Sequence, residues 1–379
     1  MRILILFNRY VYRGGEDTYV EYLIALLKKE GHKVFLYEKD SRDIKNIFDS
    51  LRAGIGLFWN RETNLTIDRI IKSFDPDIAH FHNIYPLISP TAYRVCKRHS
   101  IPIIQTIHNY KFICPKNSLY RDGSLCDLCV GKTITWPSII YGCYHESRLS
   151  SLVYSFAFAF HRLMGTFAMI DRYIFPTKFV KDYYCKNLSF INPNKAIVLP
   201  YAAPSPGNHV SSSSRDYYLF VGRLAEEKGI TQLIDQFIES KRKLVVLGSG
   251  PLESQLKNKC RTFANIRLIP HTNASQVRKH MAQAKAVIIP SRWYEVLPLV
   301  FLEATALGKM IFMAQNANLR TIDHRNNVVF YNPNFFSHLN KKLTIYERLT
   351  QSPKKSKMPN VYMSAYHYKT LMSLYEALA

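Results

Sequence analysis

The feature that most constrains the fold is a regular alternation of short apolar runs with amphipathic helical patterns. In the first half of the chain six such runs have the length of buried strands, namely Ile3–Phe7, Lys33–Tyr37, Asp77–His82, Ile101–His108, Tyr173–Pro176 and Ala196–Pro200. A helical segment that stops at Gly31 separates the first two, and its apolar stripe contains Val20, Leu23, Ile24 and Leu27. Strand and helix in regular succession predict right-handed crossovers and a parallel α/β sheet.

The alternation restarts after residues 203–214, where Pro, Gly and four serines are typical of a linker. Six further strands are predicted at Tyr217–Val221, Lys243–Leu247, Ile266–Ile269, Ala286–Pro290, Met310–Met313 and Val328–Tyr331. A chain of 379 residues also exceeds what one core usually serves. We therefore expect two Rossmann-like, doubly wound domains facing across a cleft, at 1–203 and 215–360. A helix within 361–379 would cross back to the first domain, and the cleft would hold the ligands.

The net charge of +23 is the unusual feature of the composition. A field of this size attracts polyanions, whether nucleic acid, anionic lipid headgroups or phosphate-bearing ligands. The longest apolar stretch, 149–170, is interrupted by His161 and Arg162, so no membrane-spanning helix is expected. The apolar N-terminal run is too short for a signal peptide, and seven cysteines without a secretion signal favour a reducing compartment. We expect a cytoplasmic protein.

Three glycine-containing turns follow predicted strands. Arg13-Gly14-Gly15 would let backbone N–H groups approach a phosphate or a sugar, although two glycines in a loop are more often only a tight turn. The segment 222–229 places Arg223 and Lys228 five residues apart at a sheet edge, where two cations suit a diphosphate or form an ordinary basic loop. The turn 248–251, which contains Gly250, fits a nucleotide against the backbone or serves only as a turn.

The fourth motif runs from Pro290 to Ala304 and carries two glutamates eight positions apart. Pro298 suits the first turn of a helix whose N–H groups would point into the cleft. Glu303, on that helix, is placed to accept hydrogen bonds from the vicinal hydroxyls of a ribose. Glu295 precedes the helix, where it would meet a sugar hydroxyl. Such a glutamate pair is common by chance, but it is less so in this strand–loop–helix context.

Taken together, these motifs resemble a family-4 glycosyltransferase with the GT-B fold, and the resemblance covers most of the chain. It implies that Arg223 and Lys228 hold the donor diphosphate, that Glu303 binds the ribose and that Glu295 contacts the transferred sugar. It also implies retention of anomeric configuration without a catalytic metal ion. Further residues assigned to donor binding are Gly15, Gly250, Leu297, Pro298 and Leu299. The run 296–298 is bulkier than the small residues usual in that family at this point.

The family's Thr-x-His element matches Thr106-Ile107-His108, which assigns His108, with Glu295, to the catalytic site. The alternative is a histidine satisfied by loop carbonyls. Within an insertion at about 109–150, the C-x2-C pair Cys126 and Cys129, together with Cys114 and Cys143, predicts either a structural zinc site or free thiols. A usual zinc site made of four cysteines has two C-x2-C pairs, and this segment has one.

Residues 138–170 are rich in aromatic and aliphatic side chains. They form either a buried helix pair or a patch that dips into a membrane surface. A second such patch would contain Arg52, Leu57, Phe58, Trp59 and Arg61. The charge favours contact with an anionic membrane at the inner face of the plasma membrane.

The function expected is transfer of a hexose from a UDP- or GDP-sugar to a lipid-linked or oligosaccharide acceptor. The product would be a surface polysaccharide such as lipopolysaccharide or capsule. One alternative is a basic nucleic-acid-binding protein, but the sequence lacks a helix-turn-helix, a zinc finger or an RNP strand, and no nucleic-acid partner is expected. Another is a different enzyme on the same fold, such as a sugar-nucleotide epimerase or a phosphorylase.

Overall fold

A computed structural model describes residues 1–203, 215–270, 273–315, 322, 327–349 and 358–379. The predicted linker therefore lies, beyond Ala203, outside the described residues. The chain divides into two compact units. Unit 1 comprises Met1–Leu119, Cys126–Pro200 and the C-terminal residues Tyr368–Ala379, and unit 2 comprises Tyr120–Leu125 and Tyr201–His367.

Unit 1 is built on a six-stranded sheet in which every pair of neighbours is parallel. Its strands are β1 (Arg2–Arg9), β2 (Lys33–Asp40), β3 (Ile78–Phe81), β4 (Ile103–Thr106), β7 (Arg172–Phe175) and β8 (Ala196–Val198). Their spatial order is β2-β1-β3-β4-β7-β8, so the order reverses between β1 and β3. The short strands β5 (Tyr120–Arg121) and β6 (Ser124–Leu125) form a separate antiparallel pair, which is grouped with unit 2.

The helices of unit 1 connect these strands. They are α1 (Gly15–Lys29), α2 (Ile47–Phe58), α3 (Arg61–Phe74), α4 (Thr91–Arg98), α5 (Trp136–Ile140), α6 (Arg148–Leu163) and α7 (Lys178–Asn187). Helix α1 buries Val20, Leu23 and Leu27, which belong to the stripe that its periodicity predicts, and Gly31 behind it adopts a φ of +84°. The left-handed region favours glycine, so this residue ends the helix where the sequence indicates.

Unit 2 repeats the same plan with a second six-stranded parallel sheet. Its strands are β9 (Tyr218–Val221), β10 (Leu244–Leu247), β11 (Ile266–Ile269), β12 (Ala286–Ile289), β13 (Met310–Ala314) and β14 (Val328–Tyr331). Their order, β11-β10-β9-β12-β13-β14, is that of a Rossmann sheet and reverses between β9 and β12. The helices are α8 (Ile230–Ser240), α9 (Glu253–Cys260), α10 (Ala274–Gln283), α11 (Leu299–Ala306) and α12 (Phe336–Arg348). A last helix, α13 (Ser364–Glu376), begins in unit 2 and belongs to unit 1 from Tyr368 onward.

Near-continuous apolar strands explain why both sheets are covered on two faces. All of Ile3–Phe7 in β1 and all of Leu244–Leu247 in β10 are buried. The twelve strands predicted from the sequence are all present, with ends that differ by three residues or fewer. The expected α/β class and the two Rossmann-like sheets are therefore confirmed.

Candidate active site

Three loops meet at the carboxyl edge of the unit 2 sheet, because β10, β9 and β12 are neighbours and run parallel. They are residues 222–229 after β9, 248–252 after β10 and 290–298 after β12. Backbone hydrogen bonds join them: Leu224 N donates to Ser249 O at 2.9 Å, and Arg292 N donates to Glu227 O at 2.8 Å. The strand order reverses between β9 and β12, which is where open α/β sheets bind ligands.

Glycines allow these loops to approach so closely. Gly229 has a φ of +68°, and a Cβ there would lie 2.2 Å from the carbonyl oxygen of Pro290. A Cβ on Gly248 would lie 1.9 Å from the carbonyl oxygen of Gly222, and one on Gly250 would lie 2.5 Å from that of Leu224. The role in donor binding predicted for Gly250 stays a prediction. In this structure the residue makes the loop contact possible.

Lys228 and Glu295, predicted separately as diphosphate and sugar ligands, form an ion pair. Lys228 Nζ donates to Glu295 Oε1 at 2.7 Å, and Ser291 Oγ donates to the same oxygen at 2.6 Å. The ammonium also lies 4.8 Å from the ring centroid of Trp293. Because Glu295 is buried, these two hydrogen bonds fix its carboxylate and hold the cation at the strand end.

Arg223, the other predicted diphosphate ligand, pairs with Glu227. Burial works to raise the pKa of Glu227, but the Arg223 guanidinium, the Lys228 ammonium and hydrogen bonds outweigh it and leave that pKa lowered. Glu227 is therefore charged at neutral pH and orients the arginine. The sequence motif contains Glu227, but nothing in its pattern distinguishes it from the exposed Glu226 beside it.

Helix α11 follows the third loop and carries Glu303, as predicted, but Pro298 is the N-cap residue and Leu299 begins the helix. Pro298 thus lies one position outside the first turn where we expected it, because its ψ of 122° is extended rather than helical. Leu297, within that loop, is buried. Burial raises the pKa of Glu303 to about 7, against a smaller lowering effect of Arg278.

Among the described residues, Arg278 is the charged group that lowers the pKa of Glu303. Glu303 itself lies on α11, the helix that directly follows the loop containing Glu295.

Unit 1 has a pocket of its own at the carboxyl ends of β1, β3 and β4. Its volume is about 260 Å³, counting the solvent-filled mouth. The polar side chains that line it are Glu16, His82, Asn83, Tyr85, Gln105, Thr106, His108, Asn109 and Lys111. Gly15, which begins α1, lies directly before Glu16. The predicted residues Gly15 and His108 thus fall at the same edge of this sheet.

His108 is held by a second histidine. Its Nε2 lies 2.9 Å from Nδ1 of His82, and the two rings are stacked. Burial, with a smaller effect of His80, lowers the pKa of His108 to about 3, so the imidazole is neutral at physiological pH. His80 itself is buried between the hydroxyl of Tyr375 at 2.6 Å and that of Thr106 at 2.7 Å, which is a structural role.

Glu16 and Lys111 are residues that the sequence analysis did not single out. Burial raises the pKa of Glu16 to about 8, and burial lowers the pKa of Lys111 to about 7. Glu16 Oε2 accepts from Asn109 Nδ2 at 3.3 Å, whereas its buried Oε1 has no hydrogen-bond partner in the described part of the chain. Carboxyls with such pKa values are typical of functional sites.

The four cysteines of the predicted zinc site are all described and are not bonded to one another. Burial, with smaller effects of Cys114, Cys143 and Cys126, raises the pKa of Cys129 to about 12, so the thiols share one neighbourhood. In residues 1–203 and the other described ranges, however, no group of three or more His, Cys, Asp or Glu side chains is arranged to hold a metal ion. The zinc site stays a prediction.

Two parallel six-stranded α/β units define the class of the protein. The fold is shared with solved GT-B glycosyltransferases, among them HepE of Anabaena in complex with UDP and glucose. That structure matches with a TM-score of 0.66 and 12% identity over 100% of both chains. At this identity the likeness concerns the fold alone.

Family models give the assignment. Residues 13–202 match the model described as Glycosyltransferase Family 4, and residues 205–357 match that of Glycosyl transferases group 1. The chain belongs to glycosyltransferase family 4. The resemblance stated from the sequence motifs is thereby confirmed, and the enzyme class is glycosyltransferase.

Two curated relatives share less than a quarter of their residues with this chain. An uncharacterized 42.6 kDa protein in the cps region of Klebsiella pneumoniae is 21% identical over 79% of this chain and 80% of its own length. An uncharacterized glycosyltransferase of Methanocaldococcus jannaschii is 23% identical over 85% of this chain and 81% of its own.

Proposed function

We propose that the protein transfers a hexose from a UDP- or GDP-sugar to a lipid-linked or oligosaccharide acceptor, in the synthesis of a surface polysaccharide. The observation that carries the proposal is the pair of cations, Arg223 and Lys228, fixed by carboxylates at the switch point of the unit 2 sheet. The UDP and glucose named for HepE, and the cps region named for the Klebsiella relative, support a nucleotide sugar and a polysaccharide.

Each donor group has a partner of suitable chemistry in unit 2. Guanidinium and ammonium groups neutralise a diphosphate, and the N-terminus of α11 adds backbone N–H groups and a positive dipole. Glu303 accepts from ribose hydroxyls. Burial has removed water from its carboxyl and raised the pKa to about 7, and the ribose hydroxyls would supply the hydrogen bonds that burial has removed.

The transfer step is proposed to retain anomeric configuration by attack on the face from which the diphosphate leaves. The C–O bond to the β-phosphate breaks, the acceptor oxygen bonds to the anomeric carbon, and the acceptor proton passes to the departing phosphate oxygen. Arg223 and Lys228 stabilise the negative charge that develops there, so no metal ion is required. Glu295 contacts the sugar with the oxygen atom that Lys228 and Ser291 leave available, and neutral His108 donates or accepts a hydrogen bond.

The acceptor is proposed to be presented at the inner face of the plasma membrane. In the part of the chain that the structure describes, no helix is long and apolar enough to cross a membrane. A protein of charge +23 is attracted to anionic lipid instead. Peripheral binding would bring the enzyme to a lipid-linked acceptor.

A thermal-shift screen with UDP, GDP and their sugar conjugates tests the donor assignment. A ligand at about 100 times its Kd should stabilise the folded state by about 2.7 kcal/mol. Arg223→Gln should weaken that ligand at least tenfold, since a charge-assisted contact to phosphate is worth about 1.5–3 kcal/mol. Arg261→Gln, an exposed arginine behind α9, is the matched control and should bind as the wild type does.

Product analysis then tests the reaction. Donor should be consumed in proportion to acceptor, and the product should keep the donor's anomeric configuration. Donor turnover that does not depend on any acceptor would favour an epimerase. Salt-dependent binding of ordinary DNA, with no response to any nucleotide or nucleotide sugar, would favour the nucleic-acid alternative and end the proposal.

A further inference from the structure

Helix α6 carries large apolar side chains on two sides. One side, which includes Tyr154 and Phe158, is buried in unit 1. The opposite side carries an exposed stripe at helical spacing, made of Leu149, Leu152, Phe156, Phe160 and Leu163. Their exposed fractions run from 38% to 80%. A contiguous apolar stripe exposed on a protein surface marks a site of contact with a partner or a membrane, so we expect this stripe to be covered.

Helix α2 lies beside α6 and also exposes apolar side chains. The rings of Phe58 and Phe160 are 6.0 Å apart, and His161 Nε2 lies 2.7 Å from the carbonyl oxygen of Leu57. While α2 buries Ala53, Gly56 and Leu57, its exposed side carries Ile47, Phe48, Leu51 and Ile55. We call these four residues and the α6 stripe the α2/α6 face.

The charge around this face indicates which partner covers it. Residues 42–62 and 132–164, which contain both helices, carry seven Lys or Arg against four Asp or Glu. A second copy of a chain with a net charge of +23 would be repelled, whereas a surface of anionic headgroups would be attracted. Trp59 at the end of α2 and Trp136 at the start of α5 are also exposed, and tryptophan favours the level of lipid headgroups.

We propose that the α2/α6 face inserts into the headgroup and outer acyl region of an anionic bilayer, with both helices parallel to the membrane plane. The inference deepens the proposed function, on which it rests for its purpose: it names the surface that would bring unit 1 to a lipid-linked acceptor. Large apolar side chains then leave water, and the surrounding cations meet lipid phosphates. The two interpretations of residues 138–170 are thereby combined, since α6 packs in the core on one side and on lipid on the other.

Co-sedimentation of the full chain with vesicles is the test. Vesicles of phosphatidylethanolamine and phosphatidylglycerol should bind the protein, and vesicles of phosphatidylcholine alone should bind it more weakly. Phe48→Gln combined with Phe156→Gln should lower the affinity roughly a hundredfold, as expected for the loss of two buried apolar side chains. Phe335→Gln combined with Leu349→Gln removes equally exposed apolar residues of unit 2 and should bind as the wild type does.

Tryptophan fluorescence gives a second measurement that needs no destabilising variant. The chain has three tryptophans, and Trp293 is buried in unit 2. Phosphatidylglycerol vesicles should shift the emission of Trp59 and Trp136 to the blue, and lipids brominated near the headgroup should quench it. Trp59→Phe combined with Trp136→Phe should abolish both effects.

The outcomes separate this inference from the proposed function. Wild-type protein that binds no vesicle, or a Phe48→Gln/Phe156→Gln variant that binds as tightly as wild type, overturns the inference. The inference is also overturned if the wild type is a dimer and this variant is a monomer, because the face would then be covered by a second copy of the chain. In each of these three cases, donor binding and transfer to a soluble acceptor would leave the proposed function intact. Vesicle binding without any response to a nucleotide sugar would support the inference about the α2/α6 face and overturn the proposed function.

Discussion

Replacing Lys228 by methionine tests how the Lys228–Glu295 pair holds the sheet edge. The substitution keeps an unbranched side chain of similar length, but it removes the ammonium that pairs with Glu295 and lies over the ring of Trp293. Glu295 has only 6% of its side chain exposed and would keep Ser291 as its remaining hydrogen-bond partner at that oxygen. Breaking a buried pair on one side costs about 3–5 kcal/mol. Because Lys228 is 22% exposed, water can partly replace it, and we expect about 2–3 kcal/mol.

A matched control exists in the same unit. Lys257 and Glu253 have the same Nζ–O separation of 2.7 Å, but their side chains are 54% and 27% exposed. An exposed pair of this kind on a helix is worth about 0.3–0.5 kcal/mol. Lys257→Met should therefore change the stability little, and the difference between the two variants isolates the effect of burial from that of distance.

Thermal unfolding followed by circular dichroism measures both variants. For a domain of this size about 2–3 kcal/mol corresponds to a Tm lowered by about 4–12 °C. Adding Glu295→Gln to Lys228→Met should recover most of the loss, because no uncompensated charge then remains buried. Equal Tm values for Lys228→Met and Lys257→Met, or a double variant that is no more stable than Lys228→Met alone, would refute the reasoning.

Two further predictions concern unit 1. The folded state holds a proton on Glu16 up to a pKa of about 8, so its contribution to stability is present at low pH and decreases as the pH rises above the carboxyl's ordinary pKa. From pH 5 to pH 7, the free energy of unfolding of Glu16→Gln, measured with urea, should rise by about 2 kcal/mol relative to that of the wild type. This range lies below the pH at which the lowered pKa of Lys111 changes the stability in the opposite sense. A difference between the two proteins that stays constant with pH would contradict the prediction. Zinc bound by the cysteines should appear as about one metal per chain in elemental analysis and should be lost in Cys126→Ser combined with Cys129→Ser. If wild-type protein from which a chelator has removed metal melts as cooperatively as untreated protein, only the interpretation as free thiols is left.

The ends of the strands can be located from the sequence because buried parallel strands consist of nearly unbroken runs of apolar residues. Arg223 and Glu295 could therefore be placed at a sheet edge from pattern alone, since each follows such a run. Gly31 likewise marks the end of α1 through a conformation that its position requires. These features are local, and local sequence determines them.

Pairings between loops are not local. Lys228 meets Glu295 across 67 residues only because β9 lies beside β12, and hydrophobic periodicity carries no information about strand order. Glu16 has the position of an ordinary acidic residue in the first turn of a helix, where it would be exposed. Its environment instead comes from Asn83 and Asn109, which follow β3 and β4. The sequence offers no signal for that burial apart from the adjacent glycines.

Helix α6 shows why a sequence pattern can leave two interpretations open. Its period of about 3.6 identifies a helix, but large apolar residues lie on two sides of it, so the pattern alone does not indicate which side is buried. The packing distinguishes the two sides: contacts with α2 and the unit 1 core cover one side, whereas the side with Leu149 and Phe156 is exposed. For a soluble helix, selection would be expected to make that side polar. An apolar side that stays exposed on two adjacent helices of a strongly basic protein is what a bilayer-facing surface requires.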